Sequence, residues 1–317
     1  MTDTQNEVFK TPVNKIRLFE HGAPGSQNLK LTRKYYTEDM PDGRVKHIVQ
    51  NITDPDIVPY IPDGIGNSTD RQRIPAVLII PGGAFRRLVY NFEGEDVAKW
   101  LNSMGIAAFV LECRLPSDEH DNAEDVPLID AMRAMRVIRG RAQEFGIDEA
   151  KIGVMGFSAG GFMAALLSTA YESDVYADYK YKDEYDKLSA RPDFAVCSYP
   201  VISIDDCIEA GKRYMSEEQV LERISGSKAK ILHKYNPDKL VRPDMPPVFI
   251  CETDDDRTTL SENSVGFYMA ARKAGVSAEL HIFRTGGHGY GCGDDFAQTC
   301  EWKVLFTKWI KSIGIIS

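Results

Sequence analysis

One segment limits the choice of fold more than any other: KIGVMGFSAGGFMAALLSTA, residues 151–170. Ile152, Val154 and Met155 form a strand-type apolar run. The run stops at Gly156, presents Ser158, and passes at once into an alanine- and leucine-rich helical pattern. Gly156, Gly160 and Gly161 surround the serine. Small flanking residues permit a sharp reversal that leaves the serine oxygen at the tip. The helix that follows aims its first N–H groups at the same place, where negative charge is stabilised. A chain built around this segment needs a sheet whose strand ends there and a helix that packs back onto it.

The remaining sequence supplies both. AVLIIPGG (76–83), IAAFVLEC (106–113), DFAVCSYPV (193–201), PPVFICET (246–253) and AELHIF (278–283) read as strands. Helical patterns lie between them at 93–105, 126–145 and 261–274. Trp302, Leu305, Trp309 and Ile313 mark a closing helix. Continuously apolar strands imply a sheet covered on both faces. Strand–helix alternation implies parallel strands with right-handed crossovers. The expectation is one α/β domain over all 317 residues, with a mostly parallel central sheet and helices on both faces. Residues 1–70 read as an N-terminal arm or edge hairpin, with a β-type piece at 45–53. Residues 172–192 and 205–245 break the rhythm and are expected to be cap or lid insertions.

Composition narrows the function. A net charge of −9 argues against nucleic acid or an anionic membrane as the main partner. No apolar run reaches membrane-spanning length. The start, MTDTQNEVFK, has no basic segment followed by an apolar one, so a cytoplasmic protein is expected. The cysteines at 113, 197, 207, 251, 292 and 300 are scattered and without a CxxC pair, which suggests buried thiols. Cys292 and Cys300 are the one pair close in sequence. No metal-ligand spacing and no phosphate-binding GxxxxGK[ST] loop is present, so neither cofactor nor metal is expected. A small-molecule substrate is the expected partner, and a homo-oligomer is left open.

A serine hydroxyl needs a base to act as a nucleophile. Of six histidines, His288 lies in RTGGHGYGCG, a glycine-rich loop just after the last strand. A loop there reaches over the sheet edge where Ser158 stands. His281 falls inside a strand run, and His21, His47, His120 and His233 read as surface residues. The base needs a carboxylate to fix its tautomer. The strand PPVFICET runs into Asp254, Asp255 and Asp256. Three adjacent acids repel, a cost that is offset if one faces a histidine. Asp255 is taken as that acid, with Asp256 as the second choice. PGGAF (81–85) follows the first strand, and the N–H groups of its Gly82–Gly83 turn are candidate oxyanion donors, with Ala159 N–H completing the pocket. Each such donor is worth roughly 2.7–4 kcal/mol of barrier.

The chain order is oxyanion loop, Ser, Asp, His, which is the order of the α/β-hydrolase fold. The chain resembles the bacterial acetyl xylan esterase-like or feruloyl-esterase-like branch of that superfamily. The motifs that carry the resemblance are PGGAF with EGEDVA, IGVMGFSAGG, RPDFAVCSYPVIS, the acidic turn with SENS, and ELHIFRTGGHGYG, spread over roughly residues 76–310. The resemblance implies Ser158 as nucleophile, His288 as base and Asp255 as acid. It implies an oxyanion hole of Gly83, Ala84 and Ala159. The chain departs from many relatives in having alanine for a third loop glycine, Arg86 and Arg87 directly after, and no Val-Pro in the acidic turn. The implied activity is serine carboxylesterase action on short-chain, acetyl-type esters of carbohydrate, such as acetylated xylo-oligosaccharides. A prolyl-oligopeptidase-type peptidase and a non-catalytic binding module are the alternatives. The first usually carries a large N-terminal propeller, and the second predicts a broken triad. Tyr176, Tyr179, Tyr181 and Tyr185 read either as a sugar-stacking surface or as a solvated insertion.

Overall fold

The apolar runs become adjoining strands because each must bury both faces. The computed structural model describes residues 9, 13–65, 73–223, 225–293 and 298–317; parts of the predicted N-terminal arm, 1–8, 10–12 and 66–70, lie outside them. The N-terminal strands are β1 (Ile16–Arg17), β2 (Lys34–Asp39), β3 (Val45–Gln50) and β4 (Asp56–Tyr60). Then come β5 (Ile74–Ile80), β6 (Leu88–Val89), α1 (Asp96–Ser103) and β7 (Ala107–Glu112). α2 (Val126–Gly140) and α3 (Ala142–Phe145) lead to β8 (Ile147–Phe157) and α4 (Ala159–Ala170). After β9 (Ala195–Ser198) follow α5 (Ile204–Gly211), α6 (Glu217–Arg223) and α7 (Ser227–Lys234). The chain ends with β10 (Val248–Thr253), α8 (Ser261–Lys273), β11 (Ala278–Phe283) and α9 (Glu301–Ser312).

The main sheet has the order β1-β4-β7-β5-β8-β9-β10-β11. The six strands from β7 to β11 run parallel, and β4 and β1 are antiparallel at one edge. From β5 the chain first steps sideways to β7 and then returns to β8 on the other flank. Right-handed crossovers in opposite directions place α1 on one face and α2 and α4 on the other. A crevice forms at the carboxyl ends of β5 and β8, where the connections diverge. Ile80 lies opposite Gly156 in that register, so the loop after β5 and the turn after β8 leave the sheet side by side.

α4 is buried from Ala159 through Thr169, as its apolar sequence requires. α9 closes the opposite face with Trp302, Phe306, Trp309 and Ile310. Trp302 meets Trp100 of α1 with ring centroids 4.9 Å apart. A second sheet, β2-β3-β6, stands beside the crevice, because β6 comes directly out of the loop after β5.

The two irregular stretches are tied to the body by charge. Arg133 of α2 bonds Asp183 at 2.5 and 2.7 Å, and Asp186 lies 3.1 Å away. Asp183 also caps the short helix Glu184–Lys187. At the end of α7, Lys234 and Tyr235 both reach Asp125. The surface reading of His120 is corrected: it is buried beside Arg114, with Nδ1 3.0 Å from Ser26 Oγ. Burial and the Arg114 charge push its imidazole down to about 4.

Arg114, after β7, is fully buried and forks onto Asp130 of α2 at 2.7–3.1 Å. It also bonds Ser26 Oγ at 2.8 Å and the carbonyl of Pro24. This group pins the N-terminal segment and α2 to the end of β7. Asp130→Ala would strand a buried guanidinium, and we expect a loss of about 3–5 kcal/mol. Denaturant unfolding measures it, and a loss below about 1 kcal/mol would show that the pair does not hold these elements together.

Candidate active site

Ser158 has φ 54° and ψ −117°, a conformation that non-glycine residues rarely adopt. The surrounding packing imposes it. A Cβ on Gly156 would stand 2.0 Å from the carbonyl oxygen of Gly160, and one on Gly160 would stand 1.9 Å from that of Ile80. Only glycines at both positions let strand, helix and neighbouring strand approach so closely. The Ser158 N–H bonds Ser198 O on β9 at 3.0 Å, and its carbonyl accepts from Phe162 N at 3.0 Å in the first turn of α4.

The loop after β11 brings His288 to the serine. Gly286, Gly287, Gly289 and Gly291 in that loop all have positive φ, which explains its glycine content. His288 Nε2 lies 2.8 Å from Ser158 Oγ, and His288 Nδ1 lies 2.6 Å from Asp256 Oδ2. Thr259 Oγ1 sits 3.0 Å from Asp256 Oδ2 and 3.2 Å from His288 Nδ1. A hydroxyl, an imidazole and a buried carboxylate in this sequence can relay a proton and stabilise an imidazolium.

The acid that meets His288 is Asp256, not Asp255. β10 ends at Thr253, and the turn after it is fixed by Asp256 itself. Its Oδ1 accepts from Thr258 N at 2.6 Å and Thr259 N at 3.0 Å, which draws the side chain inward. Asp256 is 1% exposed, whereas Asp255 points to solvent and accepts from Gly287 N at 2.8 Å. Asp255 thus braces the histidine loop without touching the imidazole. Burial raises the Asp256 carboxyl, but the bond and charge of His288 and the two threonine N–H groups outweigh it. The net effect holds Asp256 below the ordinary carboxylate range.

The loop after β5 faces the serine from the other side. Gly83 and Ala84 both have positive φ, and their N–H groups meet no acceptor among the described residues. Ala159 is the first residue of α4, so its N–H has no partner inside the helix. Gly82 is different from the sequence reading: its N–H is taken by Glu93 Oε2 at 2.8 Å.

Glu93 was not foreseen as part of the site. It is 5% exposed, and its Oε1 accepts from the Tyr199 hydroxyl at 2.9 Å. Tyr199 Oη accepts in turn from Gly291 N at 3.0 Å. The chain Gly82–Glu93–Tyr199–Gly291 joins the β5 loop to the histidine loop. Desolvation pushes the Glu93 carboxyl up, opposed by the charge of His288 and by the bonds from Tyr199 and Gly82. The EG pair at the start of a helical pattern was the available signal, since acidic residues there usually serve the helix end.

The cavity in front of Ser158 has a volume of about 310 Å³. Ser158, His288, Gly83 and Ala84 line it, together with Met40, Arg44 and Lys46 of the β2–β3 hairpin. Among the described residues, none that lines it comes from 172–192 or 205–245. Tyr179 and Tyr181 line a separate cleft with His21 and Arg133. Among the described residues, no group of three or more His, Cys, Asp or Glu is placed to hold a metal ion, and no helix is long and apolar enough to cross a membrane. None of the six cysteines, Cys292 and Cys300 included, is joined in a disulfide.

Residues 65–270 match the BD-FAE family model. An acetylxylan esterase of Xylanibacter ruminicola is 31% identical over 240 residues, covering 75% of this chain and 45% of that protein. Endo-1,4-beta-xylanase B of Butyrivibrio fibrisolvens is 31% identical over 227 residues, covering 71% and 34%. The chain therefore spans less than half the length of these curated relatives. The crystal structure of an acetyl ester-xyloside bifunctional hydrolase from Caldicellulosiruptor lactoaceticus is 35% identical, covering 96% of this chain and 97% of that one, with a TM-score of 0.72. A thermophilic esterase from Thermogutta terrifontis, 23% identical with coverage of 93% and 96% and a TM-score of 0.65, shares the fold.

The placement of the acid has a spectroscopic test. An imidazole N–H held by a buried carboxylate gives a low-field proton NMR signal. Asp256→Asn is expected to abolish it, and Asp255→Asn to keep it. The reverse pattern would contradict the assignment.

Proposed function

The chain belongs to the BD-FAE family of α/β-hydrolases, and from that premise we propose that it is a serine carboxylesterase acting on acetyl esters of carbohydrate, with Ser158, His288 and Asp256 as the triad. The observation that carries this reading is the contact of 2.8 Å between His288 Nε2 and Ser158 Oγ, continued at 2.6 Å to Asp256. The acetylxylan esterase and the acetyl ester-xyloside hydrolase among its relatives support the substrate class.

Ser158 Oγ attacks the ester carbonyl while His288 Nε2 takes its proton. The carbonyl oxygen gains negative charge and is held by the N–H groups of Gly83, Ala84 and Ala159, which are fixed before the substrate arrives. Collapse of the tetrahedral species breaks the C–O bond, and His288 returns the proton to the leaving alcohol. Water then attacks the acyl-enzyme, with His288 again as base, and releases the carboxylic acid. Asp256 stabilises the imidazolium in both halves and fixes which nitrogen carries the proton.

A second, apolar cavity of about 20 Å³ lies behind the oxyanion loop. It shares Gly83 and Arg87 with the larger cavity and is otherwise lined mainly by apolar groups, among them Phe85, Leu88, Cys113, Ala159 and Met163. Space of this size holds about one water-sized group. It suits the methyl of an acetyl group and is too small for a long acyl chain.

The test is hydrolysis of p-nitrophenyl esters from acetyl to palmitoyl. We expect the acetyl ester to be fastest, with turnover falling steeply beyond propionyl. Ser158→Ala should remove it, and Asp256→Asn should lower kcat on the order of 10⁴-fold. A folded wild-type protein that cleaves none of the series would overturn the esterase reading.

A further inference from the structure

One ionisable side chain stands deep in the sheet next to Asp256, and no step of ester hydrolysis calls on it. Glu252 belongs to β10, the strand that ends at Thr253 and delivers Asp256 to His288. Both Glu252 and Asp256 are buried. Glu252 Oε1 accepts from Thr253 N at 2.9 Å, and its Oε2 accepts from Ser264 Oγ of α8 at 3.2 Å. Its third partner is Asp256: the two carboxyl groups lie within hydrogen-bonding reach of each other. An ionised carboxylate accepts hydrogen bonds and donates none, so two carboxyl groups bond each other only if one carries a proton.

Asp256 is the better placed of the two to be the anion. Its Oδ1 accepts from Thr258 N and Thr259 N, and its Oδ2 faces His288 Nδ1 and Thr259 Oγ1. Glu252 has one backbone N–H and one serine hydroxyl, and among the described residues no ion pair joins it to a Lys, Arg or His. A buried charge without a counter-ion is costly, and a buried neutral acid avoids that cost. Burial, reinforced by the charge of Asp256, pushes the Glu252 carboxyl well above the ordinary carboxylate range, whereas His288 and the threonine N–H groups hold Asp256 below it. The other titratable neighbours leave this order intact. Cys251 and Tyr290, both pushed upward by burial, stay neutral. Glu93 faces His288 from the β5 side and is engaged by Gly82 N and the Tyr199 hydroxyl.

We propose that Glu252 is the neutral partner of Asp256: its acid O–H donates to the Asp256 carboxylate and holds that carboxylate in line with His288 Nδ1. Glu252 is a positioning residue, since it acts through Asp256 and touches no reacting atom. The donated bond draws charge from Asp256 and so sets how strongly the imidazolium is held. The proposal rests on the reading of Ser158, His288 and Asp256 as a triad.

The experiment measures kcat/KM for p-nitrophenyl acetate against pH in wild type, Glu252→Gln and Glu252→Leu, and reads the midpoint of the acid limb. That midpoint does not depend on the fraction of folded protein. Glutamine replaces the acid O–H by an amide N–H, and the midpoint should stay where wild type has it. Leucine removes the donor, Asp256 then holds the imidazolium more strongly, and the midpoint should rise by about half a unit to one unit. An ionised Glu252 predicts the opposite, because both variants would remove a negative charge and lower the midpoint. A fall in either variant, or no change in Glu252→Leu, overturns the proposal. A second measurement serves even if Glu252→Leu does not fold. An O–H donated to a carboxylate makes a short, strong bond, and its proton should give a low-field NMR signal. Glu252→Gln should remove that signal and keep the one from His288 Nδ1–H. Wild-type and Glu252→Gln spectra that match at low field overturn the proposal. These outcomes leave the triad standing. Activity retained in full by Ser158→Ala or Asp256→Asn would overturn the triad, and this proposal with it.

Discussion

Everything at the site depends on the close approach of three backbones behind Ser158. The carbonyl of Ile80 at the end of β5, the glycine at 156 and the glycine at 160 pack so tightly that no Cβ fits between them. Ser158 is forced to a φ of 54° as a result, and its oxygen stands clear of the sheet. The strain of such a residue is of order 1–3 kcal/mol, and the packed core of β5, β8 and α4 sustains it. Because β5 and β8 are neighbours, the same packing sets the loop of Gly83 and Ala84 at a fixed position relative to Ser158. One local constraint therefore places both Ser158 Oγ and the N–H groups of Gly83 and Ala84, the atoms on which the proposed mechanism draws.

A second device keeps the histidine in register with that elbow. The Gly82–Glu93–Tyr199–Gly291 chain spans from the loop after β5 to the loop after β11. A glycine-rich loop has many accessible conformations, and these bonds limit them. The Tyr199 ring lies edge-on to His288, with centroids 5.0 Å apart. Asp255 adds a bond to Gly287 N, so the loop is held on both sides of the imidazole. The three acids at the end of β10 thus divide their labour. Asp256 faces inward to His288, Asp255 braces the loop, and Asp254 lies exposed.

Much of the fold was legible in the sequence, because parallel strands covered on both faces must be continuously apolar. AVLIIPGG, IAAFVLEC and PPVFICET each became a buried strand of the main sheet. Ser158 and His288, which the structure brings within 2.8 Å of each other, stood out in the sequence because each sits between glycines that only a special backbone requires. The choice between Asp255 and Asp256 was not, since adjacent residues differ only in which way a turn directs them. That direction is set by the N–H groups of Thr258 and Thr259, three-dimensional information that spacing alone does not carry. Glu93 and Tyr199 were missed for a related reason: a helix-start glutamate and a strand-end tyrosine are ordinary until folding buries them together. The β2–β3 hairpin read only as an edge, yet it walls the cavity in front of Ser158 because β6 draws it against the loop after β5.

The central claim is that Ser158 is a nucleophile activated by His288 and Asp256. Its most direct test is brief exposure to an organophosphate ester, followed by peptide mapping with tandem mass spectrometry. The account predicts one phosphoryl group per chain, on Ser158, formed far more slowly in His288→Ala. A folded wild-type protein that stays unlabelled, or that carries the group on another residue while Ser158 is free, would contradict it.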